Sequence, residues 1–257
     1  MVYNLIIAFF IGIIEGITEW LPVSSTGHMI LFESFFELKT SSDFKEMFLV
    51  VIQLGAIFAV VLLYFKTLFP FSLKKGEPIL KTDTLTLWVK IIVSCVPAAV
   101  VGLLFDSLLE ELFYHAVPVA LALIVFGVFF IFIENYNKKR IPQKTSLASL
   151  TLTDAAIIGA FQVLAAVFPG VSRSGATIIG AILIGVSRTV AAEYTFLLAV
   201  PVMAGASLLK IVKFGFDFSL EQILILAVGM ITAFAVSLFS IKFLKERLLF
   251  ELKWCIV

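Results

Sequence analysis

Residues 15–28 read EGITEWLPVSSTGH, and they break an otherwise apolar region, about 4–36, near its middle. A second run, PGVSRSGAT at 169–177, breaks the region 152–189 in the same way. Neither side of Pro22, nor of Pro169-Gly170, is long enough to cross a hydrocarbon core of roughly 30 Å, which takes about 20 residues of helix. Each region therefore predicts a helix-turn-helix hairpin that enters the membrane part way and leaves on the same side. Such a path is tolerated only where protein or water covers the turn.

The composition puts both hairpins in a bilayer. Of 257 residues 61% are apolar and 14% charged, with a mean hydropathy of +1.12. A soluble domain is roughly 45–50% apolar and about 25% charged, and one of this length could not hide so much apolar surface behind so few charges. Five further stretches, about 46–65, 85–105, 116–133, 191–212 and 222–241, are apolar enough to read as full transmembrane helices. The expected fold is an all-α multi-pass membrane protein, one integral domain over 1–257 with five spans and two re-entrant hairpins. Cys95 and Cys255 have no CxxC spacing and no adjacent His, and read as small hydrophobes. Leu5–Ile14 lacks a basic leader and runs into Glu15, so it does not read as a cleavable signal peptide. A net charge of +1 gives no basis for a nucleic-acid partner.

Following the five crossings places fourteen of the nineteen Lys and Arg residues, from Lys66 to Lys253, on one side. Only Lys39, Lys45, Lys210 and Lys213 fall on the other, with Arg173 inside the membrane. Short cytoplasmic loops carry the positive excess. The N-terminus is then outside, and the basic loops and C-terminus are cytoplasmic. Reading either broken region as one full crossing would scatter the basic clusters over both sides.

Aligned on Pro22 and Pro169, Glu15 matches Gln162. With one residue inserted, Ser24-Ser25-Thr26-Gly27 matches Ser172-Arg173-Ser174-Gly175. Gln53–Ala56 falls opposite Met203–Ala206 at nearly the same offset. Three crossings separate the hairpins, so the second enters from the opposite face, and the chain is an inverted repeat, about 1–135 and 150–257. In such folds broken segments from opposite faces build one site near the midplane, so the two turns are expected to be neighbours. A full second repeat would add a sixth spanning helix. Lys242–Val257 is too polar and too short to cross, so that helix is expected to be missing or truncated.

Glu15 and Glu19, four apart on an apolar helix, share a face. A carboxylate at membrane depth costs about 2.5 kcal/mol or more and usually marks function. Two side by side suit a hard cation, Mg²⁺ or Ca²⁺; the plainer alternative is a protonated pair bracing the helix. Ser24, Ser25, Thr26, Gly27 and His28 open the next short helix, whose free N–H groups suit a phosphate. Opposite them Arg173, with Gly170, Ser172, Ser174 and Thr177 around it, offers a planar fork of donors for phosphate. Carboxylates, a hydroxyl or imidazole nucleophile, and a guanidinium for developing negative charge are the components of phosphoryl transfer.

These runs, with AAEYTFLLAVP at 191–201, resemble the bacterial undecaprenyl-diphosphate phosphatase family, the bacitracin-resistance type. The resemblance covers nearly the whole chain. It implies removal of the terminal phosphate from a polyprenyl diphosphate in the inner membrane, recycling the lipid carrier of peptidoglycan synthesis. It also implies a divalent cation and places Glu15, Glu19, Ser25, His28 and Arg173 at the family's functional positions.

In the mechanism expected here Glu15 and Glu19 hold the metal, Ser25, His28 or water attacks the terminal phosphorus, and Arg173 steadies the oxygens. The substrate comes from the outer face. The rival is a secondary transporter or flippase of a polyprenyl phosphate or other anion, because broken helices meeting at the midplane also build transporters. Gly102, Gly127 and Gly205 allow close helix contacts, within the chain or in a homodimer.

Overall fold

The computed structural model describes residues 1–72, 78–113, 116–138 and 140–248. The regular structure there is helical, apart from two isolated bridges. Five helical segments are long and apolar enough to cross a membrane: Ser42–Leu63, Thr82–Phe105, Val117–Asn137, Arg188–Phe214 and Leu220–Glu246. They coincide with the five expected spans, with ends shifted by a few residues. Lys74, Lys75, Lys139 and Lys253 of the charge count lie outside the described residues, as does the 249–257 part of the basic tail.

Both broken regions are pairs of short helices. The first comprises α1 (Val2–Thr18) and α2 (Ser25–Phe35). The first span is itself divided at Ile52 into α3 (Ser42–Val51) and α4 (Gln53–Leu63), a break the apolar run did not announce. After the short α5 (Phe65–Leu68) come α6 (Thr82–Phe113) and α7 (Ala116–Asn137). The second broken region is α8 (Leu152–Val167) and α9 (Arg173–Leu183), followed by α10 (Arg188–Phe214) and α11 (Leu220–Leu248). α6 runs on well past the expected 105. α10 starts early because the Ser187 hydroxyl accepts the Val190 N–H at 3.3 Å, a cap hidden in the Gly-Val-Ser-Arg loop.

The chain forms two compact units, Met1–Val60 with the chain from Ala199, and Val61–Leu198. In the first, Ile7 and Ile11 of α1, Met29 of α2, Phe44, Met47 and Phe48 of α3, and Ile225 and Ala233 of α11 form the core. The Asn4 carboxamide ties the two ends of the first hairpin. It donates to the Lys39 carbonyl and accepts the Lys39 N–H, both at 3.0 Å. α1 lies on α11 at glycine distance: a Cβ on Gly12 would stand 2.7 Å from the Gly229 carbonyl, and one on Gly16 would stand 2.9 Å from that of Ala233. The contacts advance together, so α1 and α11 run in the same direction.

In the second unit Lys144 ties the ends of the other hairpin. Its ammonium donates to Asp154 Oδ1, at the start of α8, at 2.5 Å, and to the Ile184 carbonyl, just past α9, at 3.4 Å. The Gln143 and Lys144 amides both reach the Gly185 carbonyl. α8 lies on α6, where a Cβ on Gly159 would stand 2.5 Å from the Ser94 carbonyl. Lys90 donates to the Leu147 and Ala148 carbonyls and Ser94 to that of Ala155, so these two helices also run in one direction. Within the described residues of the chain nothing stands within 4 Å of a Cβ placed on Gly102, Gly127 or Gly205, whereas Gly12, Gly16, Gly55 and Gly159 each meet a backbone carbonyl below 3.0 Å.

Overpacking such a contact costs about 1–3 kcal/mol. Gly159→Ala is expected to lower the thermal midpoint of the purified protein in detergent, whereas Gly102→Ala leaves it unchanged. Burial of Asp154 opposes its ionisation, but the Lys144 ammonium and the Thr151 amide and hydroxyl outweigh that and hold its carboxyl below its ordinary value of 3.8. A depressed carboxyl contributes stability that is present above the unfolded value and is lost as pH falls through the folded one. The stability gap between wild type and Asp154→Asn should therefore stay constant from pH 8 to 5 and close only in stronger acid, as thermal unfolding across pH would reveal.

Candidate active site

The expected site residues fall into one cluster in each unit, and each is described by itself. In the first unit α1 ends at Thr18, but Glu19 keeps right-handed helical angles and its N–H bonds the Glu15 carbonyl at 3.0 Å. The helical path thus extends far enough to bring both carboxylates onto one face. Glu15 is fully buried and Glu19 6% exposed. The turn through Pro22 closes with the Val23 N–H on the Leu21 carbonyl. The chain then passes through Ser24, whose φ of 63° and ψ of 98° lie where residues with a side chain are strained. It is the one non-glycine residue with positive φ among the described residues. The strain is offset by a cap: Ser24 Oγ accepts the Gly27 N–H at 3.3 Å and starts α2.

As the first residue of α2, Ser25 is turned back toward α1. Its hydroxyl donates to Glu19 Oε2 at 2.6 Å, and both residues are buried. That is the length of a charge-assisted O–H···O⁻ bond. The Nδ1 of His28 lies 2.8 Å from the Ser24 carbonyl. A carbonyl only accepts, so Nδ1 carries a proton, and in the neutral ring Nε2 is the lone-pair nitrogen. His28 is exposed and Thr26 half-buried.

In the second unit the Phe168–Ser172 turn passes through Gly170 at φ 97°, where a Cβ would stand 3.0 Å from the Val119 carbonyl of α7. Glycine there has a backbone reason apart from any ligand. Ser172 caps α9 by accepting the Gly175 N–H at 3.1 Å, and it shares a hydrogen bond with Ser174 at 2.9 Å. Arg173 is the first helical residue, half-buried, and its Nη1 donates to the Thr195 carbonyl at 3.0 Å. Thr177 and Thr195 share a hydrogen bond at 2.8 Å. Deeper in, the Ser94 hydroxyl donates to the Ala155 carbonyl at 2.6 Å, so the Tyr194 hydroxyl must donate to Ser94, 2.8 Å away. A buried carboxylate–hydroxyl pair, a lone-pair imidazole nitrogen and a half-buried guanidinium at a capped helix start are groups that bind and attack phosphate esters.

A family model described as bacitracin resistance protein BacA matches residues 8–250. The chain belongs to that family. Curated relatives include undecaprenyl-diphosphatase 1 of Clostridium acetobutylicum, 60% identical over 92% of this chain and 86% of its own length. The undecaprenyl-diphosphatase of Desulfitobacterium hafniense is 59% identical over 92% and 85%, and one from Enterococcus faecalis is 57% identical over 91% and 85%.

Within this BacA-family chain, sequence reasoning missed Thr195, whose carbonyl holds Arg173, and the buried Ser94–Tyr194 pair. Thr195 and Tyr194 stood in the AAEYTFLLAVP run, and a Tyr-Thr pair within a span was the available signal. Ser94 had none, being one serine in an apolar helix.

Ser24→Ala keeps the strained φ and loses the cap, a loss of about 1 kcal/mol. Ser24→Gly loses the cap with little penalty and relieves strain of order 1 kcal/mol or more. The thermal midpoint is expected to fall for Ser24→Ala and to hold or rise for Ser24→Gly, and the reverse order would remove the strain assignment.

Proposed function

We propose that the chain hydrolyses undecaprenyl diphosphate to undecaprenyl phosphate and inorganic phosphate, recycling the lipid carrier of peptidoglycan synthesis and conferring bacitracin resistance. The observation that carries the reading is the buried hydrogen bond from Ser25 to Glu19. Ser25 Oγ attacks the terminal phosphorus while Glu19 takes its proton. The Oγ–P bond forms, the bond from phosphorus to the bridging oxygen breaks, and undecaprenyl phosphate leaves. Water then hydrolyses the phosphoserine and frees phosphate. The N–H groups at the start of α2 stabilise the equatorial oxygens, and Arg173 at the start of α9 is a phosphate-binding group in its own unit. His28, through Nε2 of its neutral ring, serves as proton acceptor for the water step.

The donor set fits a hard divalent cation, Mg²⁺ or Ca²⁺, because it consists of carboxylate and hydroxyl oxygens. Among the described residues no group of three His, Cys, Asp or Glu side chains gathers; Glu15 and Glu19 would hold the ion, and it would supply positive charge against the phosphate.

The membrane arrangement in this reading is an inverted repeat with two re-entrant hairpins, the N-terminus outside, the basic loops cytoplasmic and the site open to the outer face. Several features support it. Each hairpin is tied at its base, by Asn4 to Lys39 and by Lys144 to Asp154 and Ile184. Ser24 and Ser172 make the same cap three residues back from Gly27 and Gly175. α1 lies along α11 and α8 along α6, each hairpin on the equivalent span of the other repeat, with Gly12 and Gly159 at matching places.

Purified protein with Mg²⁺ or Ca²⁺ is expected to release phosphate from undecaprenyl diphosphate, and Glu19→Ala to abolish release while remaining folded. Acid-quenching with labelled substrate should trap an acid-stable phosphoserine. An acid-labile adduct would transfer the attack to His28, and no adduct would transfer it to water. No release from folded wild type would leave lipid or anion transport as the better account.

A further inference from the structure

One buried polar side chain has no part in the chemistry above. Gln162 lies on α8 at 2% exposure, and among the described residues neither its Nε2 nor its Oε1 has a hydrogen-bond partner. A carboxamide carries two donors and an acceptor, and burying it unpaired is strongly unfavourable. The same side of α8 bears Ala155, Ile158 and Gly159, all buried. An aliphatic residue would fill the place of Gln162 without that penalty.

Its surroundings follow from register. α8 and α6 run together from Lys90 beside Leu147 to Ser94 beside Ala155 and Gly159. Gln162 therefore comes level with the turn of α6 beyond Ser94. There Pro97 leaves the Val93 carbonyl without its helical donor. Arg173 approaches the same level from α9, which packs on α8. Its guanidinium bonds the Thr195 carbonyl alongside Thr177, one turn into α9, and its charge lies within electrostatic range of Cys95. Gln162 stands five residues before the end of α8, so both groups sit at a similar depth below the 168–172 turn.

We infer that Gln162 binds the diphosphate, its Nε2 donating to a phosphoryl oxygen beside the Arg173 guanidinium; this rests on the diphosphatase reading. Gln162 is also the counterpart of Glu15. A glutamate at that position would add negative charge near Arg173, whereas a carboxamide donates to an anion and adds none.

The test compares Gln162→Met, which keeps the length and removes both polar ends, with wild type in detergent. Undecaprenyl diphosphate is the substrate and inorganic pyrophosphate a lipid-free probe. Losing a hydrogen bond to a charged group corresponds to roughly tenfold or more in affinity. KM is expected to rise about tenfold or more with kcat changed far less. The thermal midpoint should stay level or rise, and the thermal protection that pyrophosphate gives wild type should be lost. A KM within twofold of wild type overturns the inference, and so does a lowered midpoint with unchanged KM, which would make Gln162 a packing residue. If Gln162→Met does not fold, Gln162→Glu replaces it: weaker pyrophosphate protection supports the site and equal protection overturns it. If wild type releases no phosphate from the lipid, the diphosphatase reading fails on its own. The pyrophosphate comparison then decides, with protection lost only in the variant supporting an anion site and equal or absent protection in both overturning it.

Discussion

The hydrogen bond from the Ser25 hydroxyl to the Glu19 carboxylate joins the end of α1 to the start of α2 across the Pro22 turn. A buried carboxylate needs donors, and a turn between two helices frees backbone groups that need partners as well. One serine pair meets both demands. Ser24 caps the new helix with its side chain, and the strained backbone it adopts aims the next hydroxyl at Glu19. The turn is held by the same groups that act in the proposed reaction, so its chemistry and its stability would have one origin.

The second turn reuses the cap and changes the chemistry. Ser172 does for α9 what Ser24 does for α2, but the first helical residue is now Arg173 and its partner is a main-chain carbonyl. A guanidinium keeps its charge when buried and presents a planar fork of donors suited to phosphate.

The five spans and both broken regions were legible because hydropathy and the two proline turns act over many residues and depend little on neighbours. The polar clusters were legible because charge is rare in so apolar a chain. What stayed hidden depends on approach distances. Within the chain Gly12, Gly16, Gly55 and Gly159 mark close contacts, and a glycine in sequence does not say which face its helix presents. The break at Ile52 left no Pro or Gly as a signal. The Ser25–Glu19 bond was hidden for another reason. His28 is a better-known partner for a serine hydroxyl, and only the φ of Ser24 decides which acceptor that hydroxyl reaches.

The packing of α1 on α11 has a consequence for synthesis. The first hairpin leaves the ribosome early, with its buried carboxylates and strained turn already in the chain. The helix that covers it is separated by more than half the sequence, a delay on the order of ten seconds at bacterial elongation rates. Until then the polar turn must be sheltered by water, lipid headgroups or the insertion machinery. A fold whose first element waits for its last is one in which the membrane-insertion apparatus, as much as the amino-acid sequence, determines the yield of finished protein.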